Sequence, residues 1–226
     1  MNIERQTMDV DIACVGFGPA TAAFLTTLSR HLMNEDGSIN LESRKMPGMP
    51  LQVMCYERAD DVSFGVSGVV TKAQSIRASF PDLKAEDIPM AMEVKKEKLV
   101  YLLDPHGAGR RSAFHKLVDK TAKLFAKHHA VEAPFIPSAL NKHGGLLFSL
   151  GQFSQWVAGQ IMSTGLVQLW PGTPVSAPLF DGDRVTGIRL ADQGVDKKGA
   201  PDAAFMPGMD ILADLTVVGD GPVGYV

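Results

Sequence analysis

The residues of this chain best suited to binding chemistry sit near its two ends. Gly16-Phe17-Gly18-Pro19-Ala20-Thr21 follows the apolar run 10–15 and opens a stretch of helical composition, with Pro in the first turn. In that setting Gly16 permits a tight turn, and Gly18 lets the backbone approach a pyrophosphate with no Cβ in the way. The helix start at Pro19 and Ala20 offers free N–H groups and a positive dipole end. The third position of this pattern is Thr21 rather than Gly or Ala, which predicts a slight displacement of helix from strand. Glu57 ends a second apolar run, 51–56, where a carboxylate can meet ribose hydroxyls. Its distance from the glycines exceeds the usual ~20 residues, and the polar segment 34–50 accounts for the excess. At the far end, run 215–218 delivers Gly219-Asp220-Gly221, an Asp in a glycine-flanked turn suited to a ribityl or pyrophosphate group. The two ends together favour FAD over NAD, because FAD spans both. An ordinary turn beside a solvated Glu is the competing reading of the first pattern, and a plain turn that of the second.

The elements that must position these residues follow from the pattern of apolar residues. Strands are expected at 10–15, 51–56, 98–103, 166–170 and 211–218, with a short apolar run at 146–150 and a hairpin over 179–191 turning at Asp181-Gly182-Asp183. Helices are expected at 19–33, 75–83, 113–129 and 151–164. Segment 192–210 reads as loop. In helix 113–129, Phe114, Leu117, Val118, Thr121, Leu124 and Phe125 share one face. Strands alternating with helices predict an α/β fold of the Rossmann type: a parallel sheet with helices and an antiparallel β-meander, as in glutathione-reductase-like FAD domains.

Composition narrows the function further. The net charge of −3 gives no field for nucleic acid. Six scattered His and two Cys provide no metal-ligand spacing, and two thiols cannot hold a four-cysteine cluster. Cys14 and Cys55, each inside an apolar run, read as small buried hydrophobes. No apolar run is long enough for a spanning helix, and the charged N-terminus leading into a strand does not read as a signal peptide. A cytoplasmic setting is expected, with peripheral contact on the inner face of a membrane as an option. No Ser–His–Asp set or carboxylate pair marks a general acid or base, so no catalytic residue is named; His106 and His143 are the lone histidines considered near a flavin.

These residues resemble the electron transfer flavoprotein–ubiquinone oxidoreductases and their FixC-like relatives. The likeness begins at the glycine turn and continues through Glu57-Arg58 and the loop Gly65-Val66-Ser67-Gly68-Val69-Val70. It is most specific in His143-Gly144-Gly145, in Ser149-Leu150-Gly151-Gln152-Phe153 with Trp156, and in the long segment 192–208, DQGVDKKGAPDAAFMPG. The resemblance implies an FAD-binding domain over 1–226, with insertions at about 34–50 and 104–131. The C-terminal part that completes the quinone and cluster sites in the family lies outside this chain. It implies cofactor contacts at Gly16, Gly18, Pro19, Ala20, Glu57, Arg58, Gly65, Ser67, Gly68, Gln152, Val175, Gly219, Asp220 and Gly221. It also implies electron transfer flavoprotein as donor and quinone as acceptor, with a ferredoxin-like subunit or a C-terminal half on another chain as further partners.

Three functions compete. One is an electron transfer flavoprotein dehydrogenase. Another is an FAD-dependent monooxygenase or geranylgeranyl-reductase-like enzyme using NAD(P)H. The third is a truncated FAD-domain scaffold. The basic helix with Lys116, Lys120, Lys123 and Lys127 reads either as a packed surface helix with solvated lysines or as a docking face for anionic lipid or an acidic redox partner.

Overall fold

The computed structural model describes residues 4–62, 68–103, 112–196 and 199–224. Along the chain run β1 (Thr7–Val15), α1 (Pro19–Leu32), β2 (Val53–Tyr56), β3 (Val69–Thr71), α2 (Gln74–Ser79), β4 (Met92–Glu93) and β5 (Val100–Leu102). There follow α3 (Ala113–Ala122), β6 (Ala130–Glu132), β7 (Leu146–Phe148), α4 (Leu150–Ser163), β8 (Val167–Trp170), β9 (Val175–Asp181), β10 (Arg184–Leu190), β11 (Gln193–Val195), β12 (Pro201–Met206) and β13 (Asp210–Val218). They divide into two compact units: Met1–Val69 with Gln74–Ala91 and Phe148–Val226, and Val70–Ala73 with Met92–Leu147.

The first unit is built on a six-stranded sheet in the order β8-β2-β1-β13-β10-β9. The first four strands run parallel and the hairpin β9–β10 joins antiparallel to β13. This is the Rossmann-type FAD-binding architecture expected, a parallel sheet continued by an antiparallel meander. Strand β1 is buried from Val10 to Val15, which explains its near-continuous apolar run. The exception is Asp11. Burial alone would raise its pKa, but the Ser43 hydroxyl and the backbone N–H groups of Gln52 and Arg44 outweigh burial and hold it below the ordinary carboxylate value. Asp11 thereby ties the polar excursion 34–50 to the sheet. Helices α1 and α4 pack on each other, and Ala22 and Leu25 of α1 and Ser154, Val157 and Ala158 of α4 are buried. Val10, Ala13, Val15, Tyr56, Ile188, Ile211 and Ala213 close a second cluster, against which Val175 and Leu190 of the hairpin pack.

Segment 192–208, read as loop, folds instead as the antiparallel pair β11–β12. Its two ends are clamped together. Arg5 pairs with Asp192 through both guanidinium nitrogens and donates to the Gly208 carbonyl at 2.8 Å, while Gly208 N–H donates to Asp192 at 2.8 Å. The Arg5 guanidinium and the Gly208 N–H bring the Asp192 carboxyl down to about 2. Beside it, Arg189 and Asp210 pair bidentately at 2.7 Å.

The second unit carries the sheet β3-β7-β4, the pair β5–β6 and helix α3. Here the expected helix 113–129 is shorter than its periodicity implied. It is capped at Ser112 and ends at Ala122. Lys127 and Ala130 then exchange backbone bonds at 3.0 Å across His128 and His129, both with positive φ (52° and 60°). Two consecutive left-handed residues make a tight hairpin turn, which cannot continue a helix. The apolar face of α3 is also unlike that of a packed helix: none of its residues is buried, and Phe114, Leu124 and Phe125 are 70%, 81% and 81% exposed.

Candidate cofactor cavity

Strands β1, β2 and β13 end at one level, and their ends build a cavity lined by Val15, Gly16, Phe17, Gly18, Tyr56, Glu57, Arg58, Val175, Gly219, Asp220 and Gly221. The register explains the convergence. Val15 pairs with Tyr56 on one side and Val218 on the other, so each next residue enters the same space. Gly16 N–H donates to the Tyr56 carbonyl and Gly219 N–H to that of Val15, both at 2.8 Å.

The two fingerprint glycines serve different ends. Gly16 has φ +80°, and a Cβ there would stand 2.6 Å from the Gly219 carbonyl oxygen, so the turn closes only with glycine. A Cβ on Gly18 would find nothing nearer than 3.8 Å within the protein. The room above Gly18 therefore belongs to the cavity and not to internal packing. Helix α1 starts here with Gly18 as N-cap, Pro19 in its first turn, no side-chain cap and no acidic residue in that turn. Its first-turn N–H groups thus meet the cavity with no side-chain cap, as an incoming anion requires.

Glu57 is held in place by the sheet. Its backbone N–H donates to Trp170 at 2.9 Å, and its carbonyl accepts from Thr173 at 2.9 Å. The carboxylate accepts from the N–H of Phe17 at 2.6 Å and of Ala59 at 2.8 Å. It spans from the end of β2 to the glycine turn, with one oxygen on each N–H and the remaining lone pairs for further donors. Beneath it, Cys14 and Cys55 are register partners and fully buried. Burial pushes Cys14 up to about 12, Cys55 higher, and Tyr56 to about 12, so all three stay neutral.

Of the residues singled out in the sequence, Gly16, Gly18, Glu57, Arg58, Val175, Gly219, Asp220 and Gly221 share this cavity. Pro19 and Ala20 are exposed in the adjoining first turn of α1. Gly68 is exposed and outside the lining, as is Gln152 in the first turn of α4. Gly65, Ser67 and His106 lie outside the described residues. Val15, Phe17 and Tyr56 line the cavity without having been singled out. Phe17, between the two glycines, was legible from the motif, because it is the backbone N–H there that meets Glu57. Among the described residues no group of His, Cys, Asp and Glu could hold a metal ion, and no helix is long and apolar enough to cross a membrane.

A cavity at the C-terminal ends of the paired strands β1, β2 and β13, with a glycine turn and a helix start in its lining, defines the dinucleotide-binding class of the FAD oxidoreductase folds. Solved structures agree on the fold. A geranylgeranyl bacteriochlorophyll reductase-like protein from Thermoplasma acidophilum superposes with TM-score 0.52 at 12% identity, over 95% of this chain and 40% of that one. A flavin-dependent brominase gives TM-score 0.52 at 14% identity, over 96% and 39%.

In sequence, the chain resembles the electron transfer flavoprotein–ubiquinone oxidoreductases from end to end. It is 28% identical to a probable member from Acinetobacter baylyi over 100% of this chain and 34% of that protein. It is 25% identical to the Pseudomonas aeruginosa protein over 99% and 35%, and 25% identical to the human mitochondrial protein over 100% and 31%. The chain thus spans about a third of the length of the curated relatives it matches. No family model matches it.

Proposed function

We propose that this chain binds FAD and acts as the FAD-binding part of an electron-transferring flavoprotein dehydrogenase, moving electrons from a reduced electron transfer flavoprotein or similar donor towards a quinone. The observation that carries the reading is the shared cavity of the glycine turn, Glu57 and Gly219-Asp220-Gly221, in a chain that resembles such enzymes over its whole length. In this reading the uncapped N-terminus of α1 and the open space over Gly18 receive the pyrophosphate. Glu57 takes the adenosine ribose while retaining its bond to Phe17 N–H. Val175 borders the adenine, and Asp220-Gly221 lies on the ribityl side. Pro19 and Ala20 contribute through the first helical turn; Gly65, Ser67, Gly68 and Gln152 belong to the flavin side of the same proposal. FAD, when bound, supplies two-electron chemistry; the chain's residues bind it, orient it and keep the neutral thiols beneath it out of the reaction. The domain reading is of one FAD-binding domain with insertions, of which the second unit contains the later one.

The second unit fits an anionic lipid surface. It holds eleven Lys and Arg against five Asp and Glu, a formal +6, whereas the first holds eleven against twenty, a formal −9. Its exposed Leu102, Phe114, Leu117, Leu124, Phe125 and Phe135 add apolar area to that charge.

The fold supports a second reading, since a probable FAD-dependent monooxygenase from Pseudomonas aeruginosa shares it with TM-score 0.50. Anaerobic mixing separates the two. Bleaching of the flavin by reduced electron transfer flavoprotein and not by NADPH supports the dehydrogenase; bleaching by NADPH alone supports the monooxygenase or geranylgeranyl-reductase-like reading.

A further inference from the structure

Helix α1 carries three threonines that behave differently. The hydroxyls of Thr26 and Thr27 donate to the carbonyls one turn back, Ala22 at 2.8 Å and Ala23 at 2.9 Å, the ordinary resting place of a helical Thr. Thr21 is 2% exposed, and its Oγ1 has no partner. A Cβ on Gly219 would stand 2.2 Å from that oxygen. The hydroxyl therefore lies directly over Gly219, the residue that β13 delivers to the cavity floor, and occupies the space that Gly219 leaves free. This is how a Thr is accommodated where a Gly or Ala would ordinarily bring helix and strand together: the missing side chain is on the strand instead. The result is a buried donor set against Gly219, a residue of the cavity lining. A buried hydroxyl left unpaired is costly, and Val, of nearly the same shape, would avoid that cost.

We propose that Thr21 is a positioning residue for the cofactor pyrophosphate. Its hydroxyl, unpaired and set against Gly219 of the cavity lining, gains a hydrogen bond when the pyrophosphate enters the cavity beside Gly219. The inference rests on the reading of the cavity as a dinucleotide site. It assigns a role to the one fingerprint position at which this chain departs from the small-residue pattern.

The test compares the unaltered chain with Thr21→Val and Thr21→Ser. Three quantities are measured: the melting temperature of the cofactor-free chain, and the dissociation constants of FAD and of ADP, the latter carrying the pyrophosphate without the flavin. Thr21→Val is expected to melt higher than the unaltered chain yet bind FAD and ADP about five- to tenfold more weakly, the effect of one hydrogen bond. Thr21→Ser is expected to bind both within about twofold of the unaltered chain. Two results overturn the assignment while leaving the cofactor site standing: Thr21→Val binding as tightly as the unaltered chain, or Val and Ser weakened alike. An unaltered chain that binds neither FAD nor ADP overturns the assignment and the dinucleotide reading together.

Discussion

The two compact units of this chain treat their apolar residues in opposite ways. In the first, strands β1 and β2, the first half of β13 and helices α1 and α4 bury most of theirs around one sheet, while Leu215, Val218 and Phe180 stay exposed. In the second, Ala73, Leu103 and Leu146 are the buried apolar side chains among the described residues, while α3 buries none. Charge divides the same way, formally −9 against +6. The difference teaches that a helical repeat of apolar residues reports that a face is apolar, not that the chain covers it. In α1 and α4 the stripe is internal core; in α3 the described residues leave it exposed.

The largest effect expected from breaking this division is in the first unit. Gly16→Val puts a branched Cβ against the Gly219 carbonyl and into a left-handed turn. It should lower stability by about 3 kcal/mol or more and abolish FAD binding, read by denaturant melts and flavin titration. Next comes the second unit. Reversing Lys120, Lys123 and Lys127 to Glu should remove binding to anionic liposomes at low salt, since each nearby Lys contributes about 1 kcal/mol. FAD affinity should be unchanged. If the reversal instead costs FAD affinity, or if the unaltered chain never binds such vesicles, the functional division between the units fails.

Glu57→Ala should weaken FAD binding about tenfold or more, because it removes the proposed ribose acceptor and frees the Phe17 and Ala59 N–H groups; equilibrium titration reads it. Smallest is the clamp on β11–β12. The Asp192 carboxyl titrates at about 2, below its ordinary value of 3.8, because Arg5 and Gly208 hold the charged form. Its contribution is therefore fully present above about pH 4 and is lost as pH falls towards 2. Arg5→Ala should cost about 1 kcal/mol at neutral pH and flatten the pH dependence of stability in that window.

Much of the first unit was legible in the sequence for a physical reason. The parallel strands write apolar runs, buried in β1 and β2 and partly exposed at the end of β13, and the glycine turn, Glu57 and Gly219-Asp220-Gly221 each stand where such a run ends. Chain order then brings them together, because register pairs Val15 with both Tyr56 and Val218. Other features were not legible. The β11–β12 pair is polar and exposed, and its fold depends on Arg5, nearly the whole chain away. The end of α3 is decided by backbone geometry at His128 and His129, residues whose types do not announce a left-handed turn. The seating of Thr21 against Gly219, distant in sequence, could not be read from the motif alone.

The central claim, that this chain's cavity holds FAD, is tested most directly by the absorption spectrum of the purified chain, followed by acid release and identification of the bound cofactor. The account predicts a flavin spectrum at close to one flavin per chain, released as FAD. A colourless protein that takes up no added FAD would contradict it.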